Sequence, residues 1–138
     1  EEQIARLAHR GQVDKAGRPY IEHVERVVAR VKGDWRAEAV AWLHDVIEDT
    51  MFTEDMLARF VDDPDILCAV ETLTRDKTFQ TYEDYIEGVE SSNDPWAVMV
   101  KLADLRDHLD NPGCPEKLRP RYEAALKRLS PEAPDVSA

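Results

Sequence analysis

The chain of 138 residues contains only two cysteines, Cys68 and Cys114, which stand in unrelated surroundings without C-x-x-C spacing. Neither a disulfide framework nor a cysteine-based zinc site is therefore expected. Because low cysteine usage without pairing is typical of a reducing compartment, the sequence predicts a cytoplasmic location.

Long apolar segments are also absent. No uninterrupted apolar run approaches the ~20 residues that a membrane-spanning helix needs. The sequence opens with Glu1 and Glu2, where a secretory leader would carry basic and then apolar residues. We expect a soluble protein with no membrane partner.

Positive charge is scarce relative to negative charge. The chain has 18 lysines and arginines against 29 aspartates and glutamates, which gives a formal net charge of −11. Such a surface repels the phosphate backbone of long nucleic acids and disfavours a DNA- or RNA-binding module. A small phosphorylated substrate stays compatible with this charge, because a bound divalent cation can reverse the field inside one pocket.

Apolar residues recur at helical spacing almost throughout, and the period-2 alternation of strands is hard to find. This pattern predicts an all-α fold. The length and the 43% hydrophobic content favour a single compact domain, with a core over about residues 1–129 and a proline-containing tail at 130–138. The expected helices cover residues 2–10, 20–31, 35–48, 53–57, 64–73, 81–89, 95–109 and 117–129.

The third expected helix carries four polar residues on an otherwise apolar sequence: His44, Asp45, Glu48 and Asp49. Their spacing places them along one edge of a continuous helix. A solvated polar stripe is the ordinary explanation. Since the remaining residues of 40–47 are apolar and indicate burial on most sides, we favour an edge that lines a pocket and binds a divalent cation.

Two further candidate ligands stand far away in sequence, His23 on the second helix and Asp104 on the helix at 95–109. Asp104 has apolar neighbours, so its carboxylate needs either a cation or a hydrogen-bond donor as partner. Two imidazole nitrogens and two carboxylates suit a first-row divalent ion such as manganese, iron or zinc better than calcium.

The order His23, His44-Asp45, Asp104 resembles the H…HD…D pattern of the HD superfamily of metal-dependent phosphohydrolases. Within that superfamily, residues 5 to 109 resemble the (p)ppGpp hydrolase domain of RelA/SpoT-type enzymes and of the small single-domain alarmone hydrolases. The stretches that carry this resemblance are AHRGQ at 8–12, GRPYIEH at 17–23, HDVIEDT at 44–50 and KLAD at 101–104.

The resemblance implies a reaction and a set of roles. Alarmone hydrolases remove the 3′-pyrophosphate from guanosine tetra- or pentaphosphate with manganese held by the two histidines and two aspartates. The acidic pair Glu48 and Asp49 is then assigned to catalysis, because a carboxylate beside the metal can orient or deprotonate the attacking water. A salt bridge to a neighbouring arginine or lysine is the structural alternative for Glu48.

Lys15, Tyr20 and His108 are the candidate substrate-binding residues. Lys15 belongs to the loop before Gly17, and Tyr20 lies in the family motif just before His23. Two departures from the family pattern concern the nucleoside. Asp14-Lys15-Ala16 replaces the usual arginine-lysine-serine, and Asp107-His108 replaces the histidine-asparagine that follows the last aspartate, with His108 at the position of the asparagine that touches the nucleoside.

The sequence therefore leaves three functions open. The first is a manganese-dependent hydrolase of (p)ppGpp or of a closely related small nucleotide. The second is an HD-type phosphatase of nucleoside monophosphates. The third is a catalytically silent domain that keeps the metal and senses a nucleotide. Retention of both Glu48 and Asp49 favours an enzyme, since a sensor has no need of the pair.

Overall fold

The computed structural model describes residues 1–130, and the regular secondary structure within them is helical, which confirms the predicted all-α class. The predicted tail lies outside the described residues, except for Ser130. The helices are α1 (Glu2–Ala8), α2 (Tyr20–Arg30), α3 (Trp35–Leu43), α4 (Val46–Asp49), α5 (Glu54–Phe60), α6 (Pro64–Leu73), α7 (Tyr82–Ser91), α8 (Pro95–Asp110) and α9 (Arg119–Leu129), with a 3-10 turn at Glu116–Leu118.

Side-chain caps fix where several of these helices begin. The Asp34 carboxylate accepts hydrogen bonds from two amides in the first turn of α3, and Asp94 does the same for α8. Thr81 and Asp84 form a reciprocal capping box at the start of α7. The sequence predicts all three starts, because a short polar side chain here satisfies amides that have no partner within the helix.

The prediction of one continuous helix over residues 35–48 is wrong, since α3 ends at Leu43 and α4 begins only at Val46. Asp45 leaves the helical region with φ −110° and ψ 0°. The His44 ring lies near the Ala41 carbonyl oxygen, with its Nδ1 atom 2.6 Å away. This side chain thereby satisfies a carbonyl that a continuous helix would pair with the Asp45 amide. The interruption lets the side chains of His44 and Asp45, which are adjacent in sequence, point toward the same place in the interior.

The longest helix, α8, lies at the centre of the packing and contacts α2, α3, α6, α7 and α9, while α3 also contacts α1 and α2. The fully buried side chains between these helices include Leu43, Leu57, Ile66, Leu73 and Leu105. No helix within residues 1–130 is both long enough and apolar enough to cross a membrane. The central helix α8 therefore carries Asp104 into the interior.

We predict that Asp94→Ala destabilises the fold by about 1 kcal/mol, because two amides at the start of α8 lose their acceptor. Urea unfolding followed by circular dichroism measures this difference. Asp62→Ala, at an exposed position in the loop between α5 and α6, serves as the control and is expected to change stability little. Equal losses for the two variants would contradict the capping role.

Candidate metal centre

Four side chains predicted as metal ligands converge in the structure from different parts of the chain. His23 comes from α2, His44 and Asp45 from the turn between α3 and α4, and Asp104 from α8. One nitrogen or oxygen atom of each lies within 4.8 Å of the corresponding atoms of the others. His23, His44 and Asp104 are buried and Asp45 is half-buried. These atoms are close enough to share one metal ion.

The Asp104 carboxylate is the meeting point of the cluster. Its Oδ1 atom lies 2.8 Å from His23 Nε2 and 3.3 Å from His44 Nε2. Its Oδ2 atom accepts a 2.8 Å hydrogen bond from the buried ammonium of Lys101. Burial alone would raise the pKa of Asp104, but the Lys101 ammonium and the neighbouring imidazoles hold this pKa well below its usual range.

Hydrogen bonds on the far side of each ring settle which imidazole nitrogen faces the cluster. His44 Nδ1 donates to the Ala41 carbonyl oxygen at 2.6 Å. His23 Nδ1 donates at 2.6 Å to the carboxylate of Asp107, which also accepts from Arg26 Nε at 2.8 Å. With Nδ1 as the donor, each neutral ring turns its Nε2 lone pair toward the cluster, as a metal ligand requires.

The cluster favours positive charge even without a metal ion. Burial alone would lower the pKa of His23, yet hydrogen bonds to Asp104 and Asp107 raise this pKa to about 9. The pKa of His44 is raised well above its usual value against the same effect of burial, because Asp45 and Asp104 lie beside it. Two imidazole nitrogens, two carboxylates and this demand for cationic charge fit a first-row divalent ion.

Tyr20, predicted to bind substrate, contacts a member of the cluster directly. Its hydroxyl donates a hydrogen bond to Asp45 Oδ2, and its ring lies 5.3 Å from the ring of His23. Burial and the nearby Asp45 charge raise the pKa of Tyr20 well above its usual value, so the hydroxyl stays protonated and remains a donor. Tyr20 therefore orients Asp45 as well as lining the neighbouring cavity.

Glu48 and Asp49, the acidic pair predicted for catalysis, lie in different environments. Glu48 Oε1 accepts a 2.8 Å hydrogen bond from the Arg75 backbone amide, and Oε2 lies 3.7 Å from Lys77 Nζ. The salt-bridge alternative considered for Glu48 is thus partly realised. Asp49 is exposed at the edge of the cluster, and partial desolvation together with the charges of Asp45 and Glu48 raises its pKa to about 7.

A cavity of about 300 Å³ adjoins the cluster and brings the three predicted substrate-binding residues, Lys15, Tyr20 and His108, to one place. The unusual acid Asp14 accepts hydrogen bonds from the Ala16 and Arg18 amides, both at 2.9 Å, so it shapes the loop that carries Lys15. The remaining lining residues are Gln12, Val13, Asp14, Ala16, Asn111, Gly113, Cys114, Pro115, Leu118 and Tyr122.

Three contributors to the site escape the sequence analysis: Lys101, Asp107 and Tyr122. Lys101 and Asp107 lie three residues on either side of Asp104, and this helical spacing is the signal that could have identified them. Tyr122 stacks on His108 with ring centres 5.0 Å apart and an interplanar angle of 18°. No local pattern marks Tyr122, because α9 meets α8 only in the folded chain.

Named hydrolases are similar to this chain in sequence. The chain is 33% identical over 94% of its length to guanosine-3′,5′-bis(diphosphate) 3′-pyrophosphohydrolase of Haemophilus influenzae. It has the same identity and coverage with the bifunctional (p)ppGpp synthase/hydrolase SpoT of Escherichia coli K12. Over most of its length the chain therefore resembles a part of these (p)ppGpp hydrolases. No family model matches it.

The chain spans only about a fifth of the length of these bacterial relatives, with 21% and 20% coverage respectively. A solved structure of a metazoan SpoT orthologue that hydrolyses ppGpp is similar over most of both chains. That similarity has a TM-score of 0.75 and 29% identity, and it covers 92% of this chain and 79% of the other. The resemblance predicted from the sequence motifs is thereby confirmed.

We predict that Asp107→Asn weakens the binding of a divalent ion by about 10- to 100-fold, because loss of this charge weakens the support of the His23 ring. Titration of metal-free protein with Mn²⁺ against a competing chelator measures the change. Asp110→Asn is the matched control, since Asp110 is exposed and pairs with Arg30. An unchanged affinity in Asp107→Asn would argue against this orienting role.

We also predict that Asp49→Asn stabilises the metal-free protein at pH 8. The pKa of Asp49 is raised from 3.8 to about 7, so the folded chain loses stability progressively as the pH rises from about 4 to 7 and the carboxyl ionises. The variant removes that charge and should melt slightly higher at pH 8, because solvent screens an exposed carboxylate, but nearly unchanged at pH 4. Thermal unfolding at pH 8 and at pH 4, with Asp62→Asn as control, measures the change in melting temperature. Equal gains at the two pH values would contradict the prediction.

Proposed function

We propose that this chain is an HD-type metal-dependent phosphohydrolase that removes the 3′-pyrophosphate from guanosine tetra- or pentaphosphate. One observation carries the proposal: a buried cluster of two imidazoles and two carboxylates opens beside a cavity of about 300 Å³. The named hydrolases to which the chain is similar support the choice of reaction and substrate.

The proposed ligands are His23, His44, Asp45 and Asp104, and the proposed ion is Mn²⁺, with Fe²⁺ or Zn²⁺ as first-row alternatives. When bound, the ion supplies a Lewis acid that polarises the phosphoryl group and acidifies water. Lys101 balances part of the Asp104 charge by its 2.8 Å hydrogen bond. Tyr20 holds the orientation of Asp45.

The acidic pair is proposed to handle the proton of the attacking water. Glu48 is anchored through one oxygen to the Arg75 amide, and so it presents its other oxygen in a fixed position. Asp49 has a pKa of about 7 in the metal-free chain, and a cation nearby would favour its ionised form. We therefore assign proton acceptance to Asp49 and orientation of the water to Glu48.

The cavity is proposed to hold the nucleotide. Lys15 offers an ammonium to its phosphates, and the stacked rings of His108 and Tyr122 offer an aromatic surface to its base. The net charge of −11 disfavours long polyanions, so the substrate is a small nucleotide. We further propose that the chain acts as one domain, which the hydrophobic core cluster of residues 5–129 supports, and that it is located in the cytoplasm.

The test is hydrolysis of guanosine tetraphosphate by metal-stripped protein with and without added Mn²⁺, with pyrophosphate resolved from orthophosphate. We expect Mn²⁺-dependent release of pyrophosphate. His44→Ala should lose metal and activity together, whereas Glu48→Gln and Asp49→Asn should keep the metal and lose about 10²- to 10⁴-fold in turnover.

Each other outcome selects a different function. Orthophosphate release from nucleoside monophosphates, without pyrophosphate release, would favour the phosphatase. Nucleotide binding without any turnover would favour the silent sensor. If His44→Ala bound Mn²⁺ as tightly as the parent chain, the proposed ligand set would be wrong.

A further inference from the structure

His108 lies beside the metal cluster and contacts one of its members, although it stands outside the set of four whose donor atoms all lie within 4.8 Å of one another. It follows Asp104 by four residues on α8, so the two side chains share one face of the helix. Its Nε2 atom is 3.3 Å from Asp104 Oδ1, the oxygen that Nε2 of His23 and Nε2 of His44 also approach. Three imidazole nitrogens thus surround one carboxylate oxygen.

Neighbouring rings hold His108 in this position. Its ring stacks on His23, with centres 4.5 Å apart and an interplanar angle of 27°, and on its other partner, Tyr122, at 5.0 Å. A separation of 3.3 Å is long for a charge-assisted hydrogen bond, which normally spans about 2.7 to 2.9 Å. The contact with Asp104 therefore leaves the Nε2 atom of His108 available to a stronger partner.

The side chain also faces the cavity beside the cluster. His108 is 32% exposed, unlike the 3% of His23 and His44, and it lines the 300 Å³ cavity. The alarmone-hydrolase pattern that this sequence resembles has asparagine at this position, where this chain has histidine. An asparagine amide cannot offer a nitrogen lone pair, whereas a neutral imidazole can.

We propose that His108 is a fifth protein ligand, which supplies a third imidazole nitrogen to the divalent ion held by His23, His44, Asp45 and Asp104. This inference rests on the proposed metal centre. It makes the donor set richer in nitrogen than the two-imidazole set of the related hydrolases. The predicted role of His108 in binding the nucleoside would then be secondary to its role at the metal.

A third imidazole changes which ions bind best. Imidazole nitrogen strengthens the binding of Co²⁺, Ni²⁺ and Zn²⁺ more than that of Mn²⁺, which binds well to oxygen donors. Replacing His108 by the asparagine of the relatives should therefore weaken Co²⁺ binding more than Mn²⁺ binding. The ratio of the two affinities isolates ligation from any general disturbance of the site.

The experiment titrates metal-free parent protein and His108→Asn with Co²⁺ and, separately, with Mn²⁺, and records the visible absorption of the Co²⁺ complex. We expect the Co²⁺ to Mn²⁺ affinity ratio to fall at least about tenfold in the variant, and the Co²⁺ bands to move as one nitrogen donor is lost. Arg106→Asn, at an exposed position of α8, is the control and should leave the bands unchanged.

The outcomes distinguish failure of this inference from failure of the proposed metal centre. Identical Co²⁺ spectra and affinity ratios in the parent and His108→Asn would overturn ligation by His108 and leave the four-residue centre standing. Failure of the parent chain to bind either ion would overturn the metal centre itself, and the inference with it. Circular dichroism of each variant verifies that loss of binding is not loss of folding.

Discussion

The buried carboxylate of Asp104 is the group on which the arrangement of this site depends. A charge in the interior of a helical bundle is costly unless several partners compensate it. Lys101 supplies a full positive charge, and in the metal-free chain the protonated imidazoles of His23 and His44 supply further donors from α2 and from the end of α3. Helices α2, α3 and α8 must therefore meet at this point, and their mutual contacts in the fold are consistent with that demand.

Local chemistry accounts for how much of the fold the sequence predicts. Helix starts at Asp34, Thr81 and Asp94 follow from side chains that cap amides, and these rules need no knowledge of distant residues. The interruption between Leu43 and Val46 does not follow from local chemistry. The apolar periodicity continues across it, and the break coincides with the His44 ring bonding to the Ala41 carbonyl oxygen and with His44 and Asp45 both joining the cluster.

The candidate site shows the same division. The four clustered ligand candidates are predictable because the motif fixes their types and spacing, although the structure alone shows that their donor atoms lie within 4.8 Å. Asp107 is not predictable in the same way, since its contact with His23 joins residues 84 positions apart. The departure Asp14 is explained by its bonds to the Ala16 and Arg18 amides, which shape the loop locally.

Because the proposed metal ligands come from separate parts of the chain, metal binding also affects the stability of the protein in a cell. A ligand that binds only the folded chain stabilises it by about 2.7 kcal/mol when present at one hundred times its dissociation constant. Because the proposed ligands come together only when α2, α3 and α8 are packed, the unfolded chain has no comparable binding site. Resistance to proteolysis, and hence the amount of this protein, would then follow the supply of its ion.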